Sequence, residues 1–536
     1  MKLRIFILCI FLTFIPFTET KGKSSTREKH ESKKTTSGTQ PFHVAIFSAC
    51  DSRISATKPI VYTLLNKIPS IVEQKVREKY RVTYVVGSQC KEVASELGAD
   101  FFDTGVWYYP SPKTSHNGFH FFNNLTTSSI LYSYNSMDSL IRHDRPDLVL
   151  AECFGVGAAT AAENHDVPFA YIWTPALPHI ATWKSGHNLT IGLTMDYVPK
   201  ESRPDWYFKL HTYLFHSIYI SYINIFGEQA IDQLRQIREG LGLEMFDNFE
   251  HAINSYPSIS LGGQPMTQMS DHPPNLMVTG ILPLPTDTSE VPTDIRKFLE
   301  ESQRPILYVA LGTFFAYSDS RFREVKEALE NQDMFNVMWS HKFYDEGKLP
   351  VKNEKQMIIK KHMPQRHILN DEKVKVFFTH CGMSSTTEGV TAGVAFITSP
   401  QGRDQFYIED MMRRANMSIP LGKFPTRDSV SKAVHDMAQN IDFYASNVKK
   451  VYHKLRIGSE EKLEKFIDSL IEKRHSTRFD VKQSNVWSYA HALTLIFGII
   501  ISILATMIAI IVSCIFCTLK LVAFLFNSEK NKLKSL

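Results

Sequence analysis

The chain has 536 residues, 43% of them hydrophobic and 21% charged, which is the balance of a globular protein and excludes a largely disordered one. This length suits two or three domains better than a single core. The net charge of +5 is spread along the chain, and no block of basic residues alternates with aromatic ones, which disfavours nucleic-acid binding.

The N-terminus has the features of a secretory signal peptide, predicted over residues 1–20. Lys2 and Arg4 precede the apolar run Ile5–Phe17, whose 13 residues are too few to span a bilayer comfortably. An uncleaved anchor is the alternative. Residues 21–40 contain seven Lys, Arg or His residues among Ser and Thr, which predicts a disordered arm.

A first series of strands is predicted within residues 41–280. Its four runs, 43–49, 81–88, 147–152 and 168–173, are apolar at almost every position, as in parallel strands buried on both faces. Helical spacing occupies the stretches between them, such as Ile60–Lys79 and Gly155–His165. This alternation predicts a doubly wound α/β domain.

A second series follows the Pro-rich linker 281–294 and predicts another domain over residues 295–455. Its strands are expected at 305–313, 335–341, 356–362, 373–380 and 395–400. The fold class is therefore α/β, with two facing Rossmann-like domains and a returning helix and juxtamembrane segment at 456–490. Ligands of such folds bind at the carboxyl ends of the strands, where the loops 311–314, 362–366, 379–385 and 400–405 lie.

The C-terminus is expected to cross a membrane. Residues 492–518 hold no charge, and we predict a transmembrane helix over 491–519 with a basic cytoplasmic tail at 520–536. The tail ends in a K-x-K-x-x sequence similar to the dilysine retrieval signal of the endoplasmic reticulum. We therefore expect a single-pass protein of the endoplasmic reticulum or another secretory-pathway membrane, with its domains in the lumen.

The cysteines and glycan acceptors give weaker signals. Four widely spaced cysteines in the main body predict neither a disulfide framework nor a C-x-x-C metal site. Three sequons, at Asn124, Asn188 and Asn416, are candidate glycosylation sites.

The loop after the strand predicted at 373–380 has the composition of an anion site. His380 and Gly382 are followed by Ser384 and Ser385, where a helix is expected to begin. The amide groups and the dipole of a helix N-terminus attract phosphate, and a glycine allows close approach of the backbone. An ordinary turn capped by serine is the alternative.

The wider window, residues 362–405, resembles the sugar-donor signature of the UDP-glycosyltransferases, the glucuronosyl- and glucosyltransferase family. The shared positions occur in order and at the family's spacing: Pro364, Gln365, Leu369, Phe377, Thr379, His380, Gly382, Ser385, Glu388, Gly393, Pro400, Asp404 and Gln405. The signal peptide, the single C-terminal span and the basic tail resemble the membrane-anchored animal-type members. The resemblance implies the GT-B architecture of two Rossmann-like domains, with the acceptor bound by the first and the nucleotide sugar by the second.

The resemblance also implies a role for each donor-site residue. Gln365 would contact the uracil. The diphosphate would be bound by His380, by the backbone of residues 382–385 and by Ser384 and Ser385. Glu388 would accept hydrogen bonds from both ribose hydroxyls. Asp404 and Gln405 would bind hydroxyls of the transferred sugar. Thr313 belongs to the family's small-residue loop near the phosphates, and His362 replaces a uracil-stacking Trp.

The first domain departs from the family pattern at its general base. Family enzymes carry a His in the loop after the first strand, but the matching loop, residues 47–60, contains none. The Asp that orients this His is replaced by Glu152, and Asp51 is another candidate base. Glu152 and Asp51 are therefore the candidate catalytic residues.

The resulting hypothesis is an inverting, metal-independent transferase that needs no cofactor. It would move a hexose or hexuronic acid from a UDP-sugar to a hydroxyl of a small lipophilic acceptor. One alternative is a catalytically impaired relative that binds nucleotide sugar or a partner without turnover, and a second is a nucleotide-sugar epimerase on the same scaffold. The sequence leaves the acceptor, the sugar and homo-oligomerisation open.

Overall fold

The fold is described from a computed structural model. It describes residues 40–49, 54–66, 69–72, 75–105, 118–152, 155–173, 231–247, 249–261, 275–284, 290–312, 317–345, 347, 349–401, 405–475, 478, 497–498 and 501–521. The predicted signal peptide and most of the arm lie outside these residues, as does most of the cytoplasmic tail.

The first half of the chain forms a seven-stranded parallel sheet in the order β5-β4-β1-β6-β7-β8-β9. Two further strands, β2 and β3, pair with each other as an antiparallel hairpin. In chain order the strands are β1 (Phe42–Phe47), β2 (Pro69–Val72), β3 (Lys75–Glu78), β4 (Tyr80–Val86), β5 (Asp100–Asp103), β6 (Leu148–Glu152), β7 (Phe169–Trp173), β8 (Ser258–Ser260) and β9 (Leu276–Val278).

Helices cover both faces of this sheet, because its strands are apolar on both sides. They are α1 (Ile54–Asn66), α2 (Lys91–Leu97), α3 (Gly118–His143), α4 (Val156–Asn164) and α5 (Phe249–Asn254), and residues 231–241 are also helical. The predicted helical stretch at 155–165 is confirmed by α4. The one predicted at Ile60–Lys79 is wrong beyond Asn66, where α1 ends and the β2–β3 hairpin follows.

The second half forms a six-stranded parallel sheet in the order β12-β11-β10-β13-β14-β15. Its strands are β10 (Ile306–Ala310), β11 (Asn336–Ser340), β12 (Met357–Lys360), β13 (Val374–Thr379), β14 (Ala395–Thr398) and β15 (Ser418–Pro420). Its helices are α6 (Thr293–Glu301), α7 (Asp319–Glu330), α8 (Gln365–Leu369), α9 (Met383–Ala392), α10 (Gln405–Arg414) and α11 (Arg427–Arg456). The two parallel sheets confirm the predicted fold class.

The chain passes between the two halves twice, at one place. After α11 it turns at Gly458 into α12 (Ser459–Lys473), whose Leu463 and Ile467 pack in the core of the first sheet. The Ile281 N–H on the outward crossing donates to the Leu455 carbonyl at 3.1 Å. The Ser459 hydroxyl on the returning crossing donates to the Ile281 carbonyl at 2.9 Å. The two crossings are therefore bonded to each other.

The C-terminal helix Ile501–Leu521 is apolar and its side chains are exposed. It is long and apolar enough to cross a membrane, and it lies close to the predicted span at 491–519.

Cys90 is disulfide-bonded, whereas the cysteine spacing had not predicted a disulfide framework. Cys381 is buried and is not part of a disulfide.

Candidate functional site

The carboxyl ends of β10 and β13 are adjacent, and a buried imidazole lies between two glycines there. His380, which follows β13, is 8% exposed. A Cβ added at Gly312 or at Gly382 would lie 2.5 Å from the His380 Nε2 atom in either case. Gly312 also has a φ of +81°, which glycine adopts most readily. Both positions therefore require glycine to accommodate the ring.

Burial keeps the His380 imidazole neutral. It lowers the pKa of His380 to about 4, although the backbone carbonyl of Ala310 opposes this shift. Nδ1 has no hydrogen-bond partner among the described residues. A neutral imidazole has one N–H donor and one acceptor nitrogen, so at pH 7 this side chain can give one hydrogen bond to an anion but no full positive charge.

The N-terminus of α9 is open. Its N-cap residue is Gly382, and no side chain caps it. The first amide bonded back to the cap is the Thr386 N–H, which donates to the Gly382 carbonyl at 2.8 Å. The amides that precede it carry the positive end of the helix dipole. The turn is therefore not the serine-capped one given as the alternative, and these amides are available to an anion.

A side-chain cluster lies on the first two turns of α9. Gln365, the first residue of α8, donates through Nε2 to the Ser385 Oγ at 3.1 Å and to the Glu388 Oε2 at 2.7 Å. All three residues are partly exposed. The sequence-predicted uracil, phosphate and ribose contacts are thus brought together on one surface.

The remaining donor-site predictions have different outcomes. His362 is exposed, two residues after β12. Gln405 begins α10 and is 7% exposed, and its Oε1 accepts from the Gln401 N–H at 2.9 Å. Ser384 is partly exposed in the first turn of α9. Thr313 and Asp404 lie outside the described residues.

The candidate catalytic residues belong to the first sheet. Glu152 ends β6 and is 2% exposed. Burial raises the pKa of Tyr84, whose hydroxyl hydrogen-bonds with Thr57 and Ser48, and the Glu152 charge adds to this shift. Glu152 therefore lies in a buried polar cluster at the carboxyl end of the sheet. Asp51 lies outside the described residues.

Sequence reasoning missed the contacts behind this surface. Gly312 was noted only as part of a small-residue loop, and nothing in the sequence shows that it faces the His380 ring. Ser399 and Gln401 lie within the window 362–405 but were not proposed as site residues, because neither is one of the positions shared with the family. Their hydrogen bonds lead to Gln405.

Comparisons with known proteins agree with this geometry. Residues 272–530 match the family model described as UDP-glucoronosyl and UDP-glucosyl transferase. The chain is 36% identical over 135 residues to UDP-glucose flavonoid 3-O-glucosyltransferase 7 of Fragaria ananassa, covering 24% of this chain and 28% of that protein. It is 32% identical over 129 residues to solanidine UDP-glucose glucosyltransferase 1 of Solanum tuberosum, covering 23% of this chain and 26% of that protein.

Solved structures extend the likeness in fold to both halves. The glycotransferase of kitacinnamycin aligns with a TM-score of 0.58 at 16% identity, over 81% of this chain and 100% of that one. A UDP-glucosyltransferase of Polygonum tinctorium aligns with a TM-score of 0.56 at 14% identity, also over 81% and 100%. The matched curated sequences are covered over only about a quarter of their length. The match over residues 272–530 places the second half of the chain in the UDP-glucoronosyl and UDP-glucosyl transferase family, and the solved structures show that the two-sheet fold of the whole is shared with glycosyltransferases.

Proposed function

We propose that the protein transfers a sugar from a UDP-sugar to a hydroxyl group of a small lipophilic acceptor. The observation that carries this proposal is the open N-terminus of α9, beside a buried neutral imidazole and the Gln365–Ser385–Glu388 cluster. An anion, a diol and a flat base with donors and acceptors are the three chemical parts of a uridine diphosphate.

The diphosphate would lie against the first turn of α9. The amides of Met383, Ser384 and Ser385 would donate to its oxygens, and His380 would add one neutral N–H. Gly312 and Gly382 keep the space around the ring free of side chains. These donors stabilise the negative charge that develops on the leaving UDP, so the reaction as proposed is metal-independent.

The nucleoside would lie across α8 and α9. The Glu388 carboxylate would accept hydrogen bonds from both ribose hydroxyls. The Gln365 amide nitrogen is held by Ser385 and Glu388, which fixes the direction of its carbonyl oxygen for the uracil. His362 is exposed after β12 and would stack on the base. Asp404 and Gln405 would bind hydroxyls of the transferred sugar.

The chemical step is a single displacement with inversion. The acceptor oxygen bonds to the anomeric carbon as the bond from that carbon to the β-phosphate oxygen breaks, and the acceptor proton passes to a carboxylate. Glu152 and Asp51 are the candidates for this base. Glu152 is the last residue of β6 and Asp51 comes after β1 in the sequence, and the carboxyl ends of this sheet would hold the acceptor.

The membrane placement is part of the same proposal. The helix Ile501–Leu521 would anchor the protein in the endoplasmic reticulum or another secretory-pathway membrane, with both sheets in the lumen. The disulfide at Cys90 supports this, because disulfides persist in oxidising compartments.

A second candidate is a relative that binds nucleotide sugar or a partner without turnover. It is favoured by the absence of a histidine from residues 47–60 and by the burial of Glu152. Calorimetric titration of the detergent-solubilised full chain with UDP, followed by UDP release from UDP-glucose and UDP-glucuronate with a panel of lipophilic phenols and alcohols, separates the candidates. Acceptor-dependent release supports the transferase. Binding without release selects the second candidate, sugar conversion without acceptor selects an epimerase, and absence of UDP binding refutes the donor site.

A further inference from the structure

A buried tyrosine hydroxyl connects two segments at the carboxyl end of the second sheet. Tyr317 lies between β10 and α7 and is 9% exposed, and its hydroxyl donates to the Ser399 Oγ at 2.9 Å. Ser399 follows β14 and is 0% exposed. Its N–H donates to the Thr379 carbonyl at 2.9 Å, immediately before His380. Tyr317 is therefore bonded to the segment that leads from β14 to Gln405.

The Ser399 hydroxyl uses its whole hydrogen-bonding capacity. It donates to the Gly422 carbonyl at 2.8 Å, and it accepts from the Tyr317 hydroxyl at 2.9 Å and from the Gln401 Nε2 at 3.2 Å. A hydroxyl group has one hydrogen and two lone pairs, so these three partners fix its direction. Loss of the Tyr317 donor would leave a buried lone pair without a partner and release this constraint.

The bonded path continues from Ser399 to the side-chain amide of Gln405. The Gln401 Nε2 donates to the Ser399 carbonyl at 3.0 Å as well as to its hydroxyl, which holds the Gln401 side chain against this residue. The Gln401 backbone N–H donates to the Gln405 Oε1 at 2.9 Å. This bond orients the amide of Gln405, which is 7% exposed at the start of α10. A continuous series of hydrogen bonds therefore joins Tyr317 to Gln405.

The ring and the hydroxyl of Tyr317 have separate roles. The ring packs in the core of the second sheet, in the same cluster as Phe322 and Trp339. Burial raises the pKa of Tyr317, so its hydroxyl keeps the proton that it donates throughout the neutral range. Removing the hydroxyl alone therefore breaks the first bond of the path and leaves the core packing in place.

We propose that Tyr317 is a positioning residue of the donor site. Its hydroxyl, acting through Ser399 and Gln401, holds the Gln405 amide in the orientation that binds the transferred sugar. The inference rests on the proposed function, because that function assigns hydroxyls of the sugar to Gln405. Loss of the Tyr317 hydroxyl should therefore weaken binding of a UDP-sugar, whereas UDP, which lacks the sugar and lies at α9, should bind as before.

The test compares the wild type with Tyr317→Phe, which lacks only the hydroxyl group. Calorimetry on the full chain in detergent measures the Kd of UDP, UDP-glucose and UDP-glucuronate. The Kd for the UDP-sugar that the wild type binds should rise about threefold to tenfold in Tyr317→Phe, the usual effect of losing one neutral hydrogen bond. The Kd for UDP should stay within about twofold of the wild-type value. A double variant with Ser399→Ala should bind the UDP-sugar no more weakly than Ser399→Ala alone, because both changes break the same path.

Tyr344→Phe is the matched control. The Tyr344 side chain belongs to the same core cluster, and its hydroxyl donates to the Leu349 carbonyl at 3.0 Å, outside the bonded path. This variant should lower the midpoint of thermal unfolding about as much as Tyr317→Phe does. It should bind UDP and the UDP-sugar like the wild type, which a purely structural role of Tyr317 would also predict for Tyr317→Phe.

The outcomes separate this inference from the proposed function. A wild type that does not bind UDP refutes the donor site and the inference with it. A wild type that binds UDP but neither UDP-sugar refutes the assignment of the sugar to Gln405 and also overturns the inference. If the wild type binds both ligands, and Tyr317→Phe raises the two Kd values equally or changes neither, the inference alone is overturned. If Tyr317→Phe folds poorly, Ser399→Ala is compared with the wild type in the same way, and the same result overturns the inference.

Discussion

Replacing Gly382 by alanine should weaken UDP binding without unfolding the protein. The added Cβ would lie 2.5 Å from the His380 Nε2, whereas ordinary contact begins at 3.4 Å, so the ring must move by roughly 1 Å. The backbone itself is not strained, since Gly382 has a φ of −64° that alanine adopts readily. The ring and the first turn of α9 are therefore the parts that change.

The expected loss follows from the contacts to the diphosphate. A hydrogen bond to a charged group contributes about 1.5–3 kcal/mol, and displacement of His380 removes one such bond. The Kd for UDP should rise about 10- to 100-fold, since about 1.4 kcal/mol corresponds to a factor of ten. The free energy of unfolding should fall by about 1–3 kcal/mol, the usual cost of adding a methyl group to a packed site.

The assay is calorimetric titration of the solubilised full chain with UDP, combined with thermal unfolding. Gly240→Ala is the control, because a Cβ there meets no atom within 4 Å and the residue lies in the helical segment 231–241. The control should bind UDP like the wild type. If Gly382→Ala binds UDP within twofold of the wild type, the diphosphate does not lie at this helix start and the reasoning fails.

Four further predictions follow. Glu388→Ala should raise the Kd for UDP about tenfold or more. The Kd for 2′,3′-dideoxyuridine diphosphate should rise less than threefold, because this analogue lacks both ribose hydroxyls. An equal rise of the two Kd values in calorimetry would contradict a ribose contact. Burial raises the pKa of Glu409 to about 7, so between pH 4.5 and about 7 its carboxyl group keeps a proton in the native state that it loses on unfolding. The free energy of unfolding therefore falls as the pH rises through this window. Glu409→Gln should remove this pH dependence and raise the free energy of unfolding at pH 8 by about 3 kcal/mol, measured by denaturant titration. An unchanged pH dependence in the variant would contradict the prediction. Lys326→Met should lower the free energy of unfolding by about 3–5 kcal/mol in the same titrations. The reason is that the Glu330 carboxylate, whose side chain is 4% exposed, loses the ammonium group that lies 2.6 Å from it. A decrease of less than about 1 kcal/mol would show that the ion pair is dispensable. Asn416 is exposed and should carry a glycan if the domains are lumenal. Glycosidase treatment should therefore shift the wild type on a gel by one glycan more than it shifts Asn416→Gln. If the wild type shows no such shift, the result argues against lumenal placement.

The sheets were predictable because hydrophobic pattern alone marks buried parallel strands. The run at 373–380 corresponds to β13, and the run at 147–152 to β6. The β2–β3 hairpin was not predicted, because charged residues within Pro69–Glu78 hide the strand pattern from a period count. The short strands β8 and β15 have three residues each, which gives a pattern too little length to register.

The site divides in the same way. Gln365, His380 and Glu388 could be proposed from the sequence because each has a fixed place in one contiguous motif. The neutrality of His380 was not predictable, since it depends on burial between loops that follow two different strands. The burial of Glu409 was not predictable for the same reason, since its partner Thr398 ends β14 and no spacing rule connects that strand with α10.

The paired crossings between the two halves limit how the halves can move relative to each other. Sliding one sheet past the other would break both the Ile281–Leu455 and the Ser459–Ile281 hydrogen bonds, whereas rotation about that point keeps them. Gly280 fits this pivot only as glycine, because a Cβ there would lie 2.2 Å from the Leu455 carbonyl oxygen. Any change in the angle between the two halves should therefore turn about Gly280, with the largest displacements at the residues farthest from it.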